Sequence, residues 1–121
     1  MDIRGKCKIL RIYFGEDEKV QRKSLQEVLM KELMACGVAG ATIYRGLEGF
    51  GTASHIHGAR ILEIMEDLPI ILEVVDKPKH IRRALNRIKK ILPARCLVTL
   101  QDVQVVGHHL VKDPSRAPRR R

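Results

Sequence analysis

The chain has 121 residues, 45% of them hydrophobic and 31% charged, with a formal net charge of +9. That length buries a core within one domain without disulfides or metals, and the composition excludes a disordered body. No apolar run approaches the roughly 18 residues of a membrane-spanning helix, and the opening residues lack a signal peptide's apolar segment, so a cytoplasmic location is expected.

Residues 7–14 (CKILRIYF) predict a first strand, with Leu10, Ile12 and Phe14 on one face and Ile9, Arg11 and Tyr13 on the other. GEDEKVQRK follows as a polar turn or loop whose carboxylates, Glu16, Asp17 and Glu18, are expected to be solvated. Ser24 then opens a helix, with Glu27 at capping-box spacing. Leu25, Val28, Leu29, Leu33 and Cys36 form its apolar stripe, and Gly37 is placed to end it. Residues 40–45 predict a second strand, and residues 46–58 (GLEGFGTASHIHG) read as a glycine-rich loop. Residues 59–65 are a candidate return strand of a long hairpin.

PIILEVV, residues 69–75, predicts a strand. Asp76 is the expected cap of a second helix, with Pro78 in its first turn. Ile81, Ala84, Leu85, Ile88, Ile91 and Leu92 supply its apolar stripe, Lys79, Arg82, Arg83 and Lys90 face solvent, and Pro93 stops it. Residues 96–100 predict another strand and residues 103–106 a short edge strand. Residues 1–107 thus form one folded domain. Residues 108–121, rich in Pro and Arg, are expected to be a basic, disordered tail.

Strand, helix, strand, repeated once, predicts an α+β fold: a ferredoxin-like double β-α-β sandwich, its antiparallel sheet carrying both helices on one face. A three-layer α/β fold needs helices on both faces, and two helices cannot supply them. The uncovered face should then alternate with polar residues, yet Ile71 and Val75 join Ile70, Leu72 and Val74 in making the 69–75 strand apolar on both sides. Another copy of the chain is the expected cover, and the long hairpin is the alternative.

The tail carries a net +4, leaving +5 on the body, an excess suited to an anionic ligand at least as well as to nucleic acid. Aromatic residues, at 3%, are too few for a base-stacking platform. Cys7, Cys36 and Cys96 sit among apolar neighbours without a CxxC pair and read as buried thiols in a reducing compartment.

The clearest chemical signal is Arg45-Gly46-Leu47-Glu48-Gly49-Phe50-Gly51. Glycines let backbone N–H groups turn towards an anion, Arg45 adds charge-assisted hydrogen bonds, and Phe50 can stack on a base. The competing reading is a loop that uses glycine only for turning. His55 and His57, two apart, are a weaker metal-binding alternative with no third ligand at a suitable spacing. No nucleophile stands with an activating base, so catalysis is not expected.

Four segments together, RIYFGEDEK, GVAGATIYRGLEGFGTASHIH, EDLPIILEVVD and CLVTLQDVQVV, resemble the PII-like family known as domain of unknown function 190, over about residues 6–107. The resemblance implies a ferredoxin-like fold and a PII-type homotrimer with its sheets facing a central axis. It also implies a small effector, often an adenine nucleotide, in clefts between subunits. The mobile loop, here from residue 46 to about 67, would dock on a target such as a transporter or enzyme. Two departures stand out: Leu92-Pro93-Ala94-Arg95 replaces the glycine-rich phosphate loop of signalling PII proteins, and Tyr44 precedes the long loop instead of lying in it.

The expectation is therefore a non-enzymatic trimeric regulator that binds AMP or ADP. Gly46, Gly49 and Gly51 would act as backbone donors, Arg45, Arg60 and Arg95 as phosphate partners, and Phe50 as a base contact. Arg11 and Tyr13 would approach from the interface. A metal-binding trimer like the divalent-cation-tolerance proteins, using His55 and His57, is the alternative. Nucleic-acid binding through the tail and second helix is another, without a stable nucleic-acid partner in the main reading.

Overall fold

The computed structural model describes residues 2–49 and 68–107. Strand β1 (Gly5–Gly15) leads into a small hairpin of β2 (Lys19–Val20) and β3 (Lys23–Ser24), then helix α1 (Leu25–Cys36) and strand β4 (Thr42–Arg45). Strand β5 (Pro69–Asp76), helix α2 (Pro78–Ile88) and strand β6 (Leu97–Val105) complete the set. The large sheet has the order β4-β5-β1-β6 with every neighbouring pair antiparallel, which is the ferredoxin-like arrangement.

Alternation along the central strands builds the core. Leu10, Ile12 and Phe14 of β1 and Ile70, Leu72 and Val74 of β5 are buried against the helices. Helix α1 contributes Leu25, Leu29, Leu33 and Cys36, and α2 contributes Ile81, Ala84 and Ile88. Each fully buried Leu or Ile adds about 1.5–3 kcal/mol, so these two periodicities dominate the stability of the fold. Arg87 Nε donates to Glu32 Oε2 at 2.9 Å and ties the helices together on their outer side.

Helix α1 begins and ends as its sequence predicts. Ser24 Oγ accepts from the Glu27 N–H at 3.5 Å, and Gly37, at φ 79°, turns out of the helix with its N–H on the Met34 carbonyl. Helix α2 differs from expectation at its start: the cap position is Lys77, which makes no side-chain capping bond. Asp76 is the last residue of β5 and is fully buried, and its carboxylate is directed elsewhere. Oδ2 accepts from the Ala39 N–H at 2.8 Å, while Oδ1 accepts from the Lys77 N–H at 2.7 Å and lies 3.0 Å from His80 Nδ1.

Two further elements depart from the sequence reading. The segment expected to be a polar turn or loop holds most of the β2–β3 hairpin, with Gln21 and Arg22 both at positive φ, 51° and 72°. The two pieces expected near the end of the domain are one strand, because β1 is long enough to pair with β6 from Gly5↔Val105 to Tyr13↔Leu97. Gln101 and Asp102, between those two pieces, find partners on β1: Lys8 Nζ meets Asp102 Oδ1 at 2.5 Å, and Arg11 donates to Gln101.

Neither helix covers the second sheet face. Ile9, Ile71 and Val75 lie on it, with Tyr44 and Leu97 exposed at its two edges. Its centre is polar. Arg11 Nε bonds Glu73 Oε1 at 2.9 Å and its Nη1 bonds Gln101 Oε1 at 2.7 Å, while Tyr44 donates to Glu73 Oε1 at 3.0 Å. The chain of bonds crosses all four strands. At the far end of this face the chain before β1 folds back, with Ile3 buried and Cys7 Sγ donating to its carbonyl at 2.9 Å.

Candidate functional site

Antiparallel pairing brings the ends of β1 and β4 and the starts of β5 and β6 to one end of the sheet. Residues 46–49 leave β4 there, and residue 68 returns to β5 there. The loop after β1 closes the same end: the Glu16 N–H donates to the Leu68 carbonyl at 2.8 Å and the Glu18 N–H to that of Gly15 at 3.1 Å. The Glu18 carbonyl in turn accepts from the Leu25 N–H at 2.9 Å, which fixes the loop to the start of α1.

Arg45 reaches this end from the β4 edge and Arg95 from the β6 side. Both are engaged by the loop between them. Arg45 Nη2 lies 2.8 Å from Glu16 Oε2, and Arg95 Nη2 lies 2.8 Å from Glu18 Oε2. The Glu18 side chain is 7% exposed, so the expectation of a solvated carboxylate is overturned at that position. The separations in sequence explain why the pairing escaped notice: 77 positions divide Glu18 from Arg95. Its only advance signal was that three acidic residues directly follow the end of a strand. Cys96 lies beside the second pair, and burial first, then the Glu18 charge, push its thiol up to about 11. It therefore stays protonated at neutral pH.

The glycines divide between two roles. The Gly46 N–H is already committed, donating to the Pro69 carbonyl at 2.8 Å. A Cβ there would stand 2.6 Å from Pro69 Cγ, so this glycine serves close approach of two chain segments. At Gly49 the corresponding distance is 3.4 Å, ordinary contact. Phe50, Gly51, His55, His57 and Arg60 lie outside the described residues, as do the predicted return strand and the tail.

Arg11 and Tyr13 belong to the uncovered face, and Arg11 is held there by Glu73 and Gln101. The bond to Glu73 holds the Arg11 guanidinium above its usual pKa, and burial followed by Glu73 raises the Tyr44 hydroxyl. Glu73, Gln101 and Tyr44 were not singled out from the sequence. At the opposite end of the sheet, Lys6, Lys8, Pro78 and Asp102 border an open groove of about 480 Å³. Lys8 is paired with Asp102 there, and its hydrogen bond lowers the Asp102 carboxyl. Among the described residues no group of three His, Cys, Asp or Glu side chains is arranged to hold a metal. No described helix is long and apolar enough to cross a membrane.

Residues 7–105 match the family described as DUF190, Uncharacterized ACR. A UPF0166 protein of Aquifex aeolicus is 33% identical over 101 residues, covering 84% of this chain and 94% of that protein. A second UPF0166 protein, from Methanocaldococcus jannaschii, is 32% identical over 100 residues and covers 83% and 92%. Among solved structures, CPII of Thiomonas intermedia bound to ADP and bicarbonate superposes with a TM-score of 0.59 at 23% identity, covering 84% of this chain and 90% of that one. A Thermus thermophilus protein described as PII-like gives a TM-score of 0.58 at 23% identity, with coverage of 88% and 94%. At such identity these two establish the fold, which is PII-like. With the family matched along nearly all of the folded body, the chain belongs to DUF190.

Proposed function

We propose that this protein is a PII-like regulator that binds an adenine nucleotide, AMP or ADP, at the sheet end marked by Arg45 and Arg95. One observation carries the reading: two arginines distant in sequence converge on the end of the sheet where the chain departs towards residue 50 and returns at residue 68. The similar fold of CPII, solved bound to ADP and bicarbonate, supports an adenine nucleotide as the class of ligand. Arg45 and Arg95 bind phosphate oxygens in this reading, and Gly49, next to Pro69 at the start of β5, is proposed as a backbone donor. Phe50, Gly51 and Arg60 are proposed as further contacts from the segment that follows. Gly46 serves by shaping the strand end, since its N–H is already paired.

The proposed working unit is a homotrimer in which the uncovered sheet faces, apolar around a polar centre, close on one another and complete the cleft. Arg11 and Tyr13 then lie at the interface. Ligand contacts to the 46–67 segment would favour the conformation that docks on a target protein, a transporter or an enzyme.

Thermal unfolding in the presence of AMP, ADP and ATP tests the reading. At a hundredfold excess over Kd a ligand of the folded state adds about 2.7 kcal/mol, which raises Tm by several degrees. AMP or ADP should do so, and Arg45→Ala with Arg95→Ala should abolish the shift. If no adenine nucleotide moves the melting temperature, nucleotide sensing is wrong.

A further inference from the structure

The two arginines assigned to the ligand are not free cations. Each has a carboxylate against its guanidinium, and both carboxylates come from the short loop after β1. We infer that Glu16 and Glu18 are built-in competitors that determine which anions the site accepts: an incoming group must displace a carboxylate, so phosphate-class anions enter and carboxylates do not. This rests on the proposed ligand role of Arg45 and Arg95.

The argument is one of exchange. A monoanionic carboxylate ligand would swap one carboxylate–guanidinium contact for another of the same kind, while surrendering its own hydration and freedom of motion. The resident carboxylate is tethered and always at high local concentration. A phosphate group carries more charge and three acceptor oxygens, so it gains where the carboxylate only breaks even.

The two pairs are also unequal. Arg45 and Glu16 have side chains 55% and 36% exposed, and such a solvated pair opens readily. Glu18 is 7% exposed and its backbone is fastened to Gly15 and Leu25, so it cannot follow a departing partner into water. Release of Arg95, itself 48% exposed, leaves a nearly buried carboxylate unpaired, and the release is correspondingly harder. Arg45 is thus the first contact of an arriving phosphate, and Arg95 is the harder of the two to release.

Calorimetric titration with inorganic pyrophosphate, acetate and ADP tests this on the wild type, Glu16→Gln and Glu18→Gln. Removing the competitor should tighten pyrophosphate binding about threefold in Glu16→Gln and about tenfold in Glu18→Gln. Acetate should show heat of binding only in the variants. Circular dichroism confirms that each variant is folded, and Glu16→Gln, on the exposed pair, keeps the test available if Glu18→Gln does not fold. Unchanged or weaker pyrophosphate binding in a folded variant would overturn the competition and show that the carboxylates merely orient the arginines. Tighter pyrophosphate binding without any ADP binding would retain the competition and remove the nucleotide reading. Equal ADP affinity in wild type and variants would do the reverse, and no binding of any anion by any form would end both.

Discussion

At the residue scale, Asp76 shows how one buried polar side chain joins three parts of the fold. Its carboxylate satisfies the Ala39 N–H of the α1–β4 connection and the Lys77 N–H at the start of α2, and it touches His80 one turn on. Truncation to alanine would leave the Ala39 N–H without its partner and a void between strand and helix. Unfolding of Asp76→Ala in urea, at matched protomer concentration, should show a loss of about 2–4 kcal/mol. A loss under about 0.5 kcal/mol would mean that water replaces the carboxylate freely. The same scale explains Gly46, whose missing side chain admits Pro69 and whose N–H is paired with the Pro69 carbonyl.

At the element scale, the β2–β3 hairpin uses two residues poorly suited to its turn. A two-residue loop with both central residues at positive φ favours Asn-Gly, and here Gln21 and Arg22 occupy it. Arg22, at φ 72°, stands in a conformation that glycine adopts without a steric penalty. Arg22→Gly should therefore stabilise the protein, by up to about 1 kcal/mol, and raise Tm by a few degrees. A fall in Tm would mean that the arginine side chain makes a contact worth more than the strain. The hairpin precedes α1 directly and positions Ser24 as both the end of β3 and the helix cap. Changes in the turn therefore reach the loop that carries Glu16 and Glu18.

At the scale of the whole molecule, the uncovered sheet face is the surface through which the proposed trimer would form. Its apolar residues surround the chain of bonds from Tyr44 through Glu73 and Arg11 to Gln101, and Arg11 and Glu73 stand directly opposite in the β1–β5 register. In the proposed trimer this pair is buried by neighbouring copies, so it must remain neutral as a unit. Glu73→Arg would place two guanidinium groups opposite one another and remove the acceptor of Tyr44. Sedimentation velocity should then show the protomer where the wild type shows a trimer. A wild type that sediments as a lone protomer in dilute solution would remove the interface, and a Glu73→Arg trimer would show that this face lies outside it.

The sequence by itself determined the local elements. Period-two alternation identified β1, a short apolar run identified β5, a 3.6-residue apolar stripe identified both helices, and Ser24 and Gly37 marked the ends of α1, because those choices depend on neighbours within one turn or one pleat. It also carried the family resemblance, in segments now matched over residues 7–105. Only the tertiary structure decided who partners whom. Glu18 finds Arg95 across 77 positions, Arg11 finds Glu73 across 62, and β6 continues through polar residues because β1 supplies their partners. Charge in a sequence records that a side chain must be solvated or paired, and it is the folding of distant strand ends into one place that selects between the two.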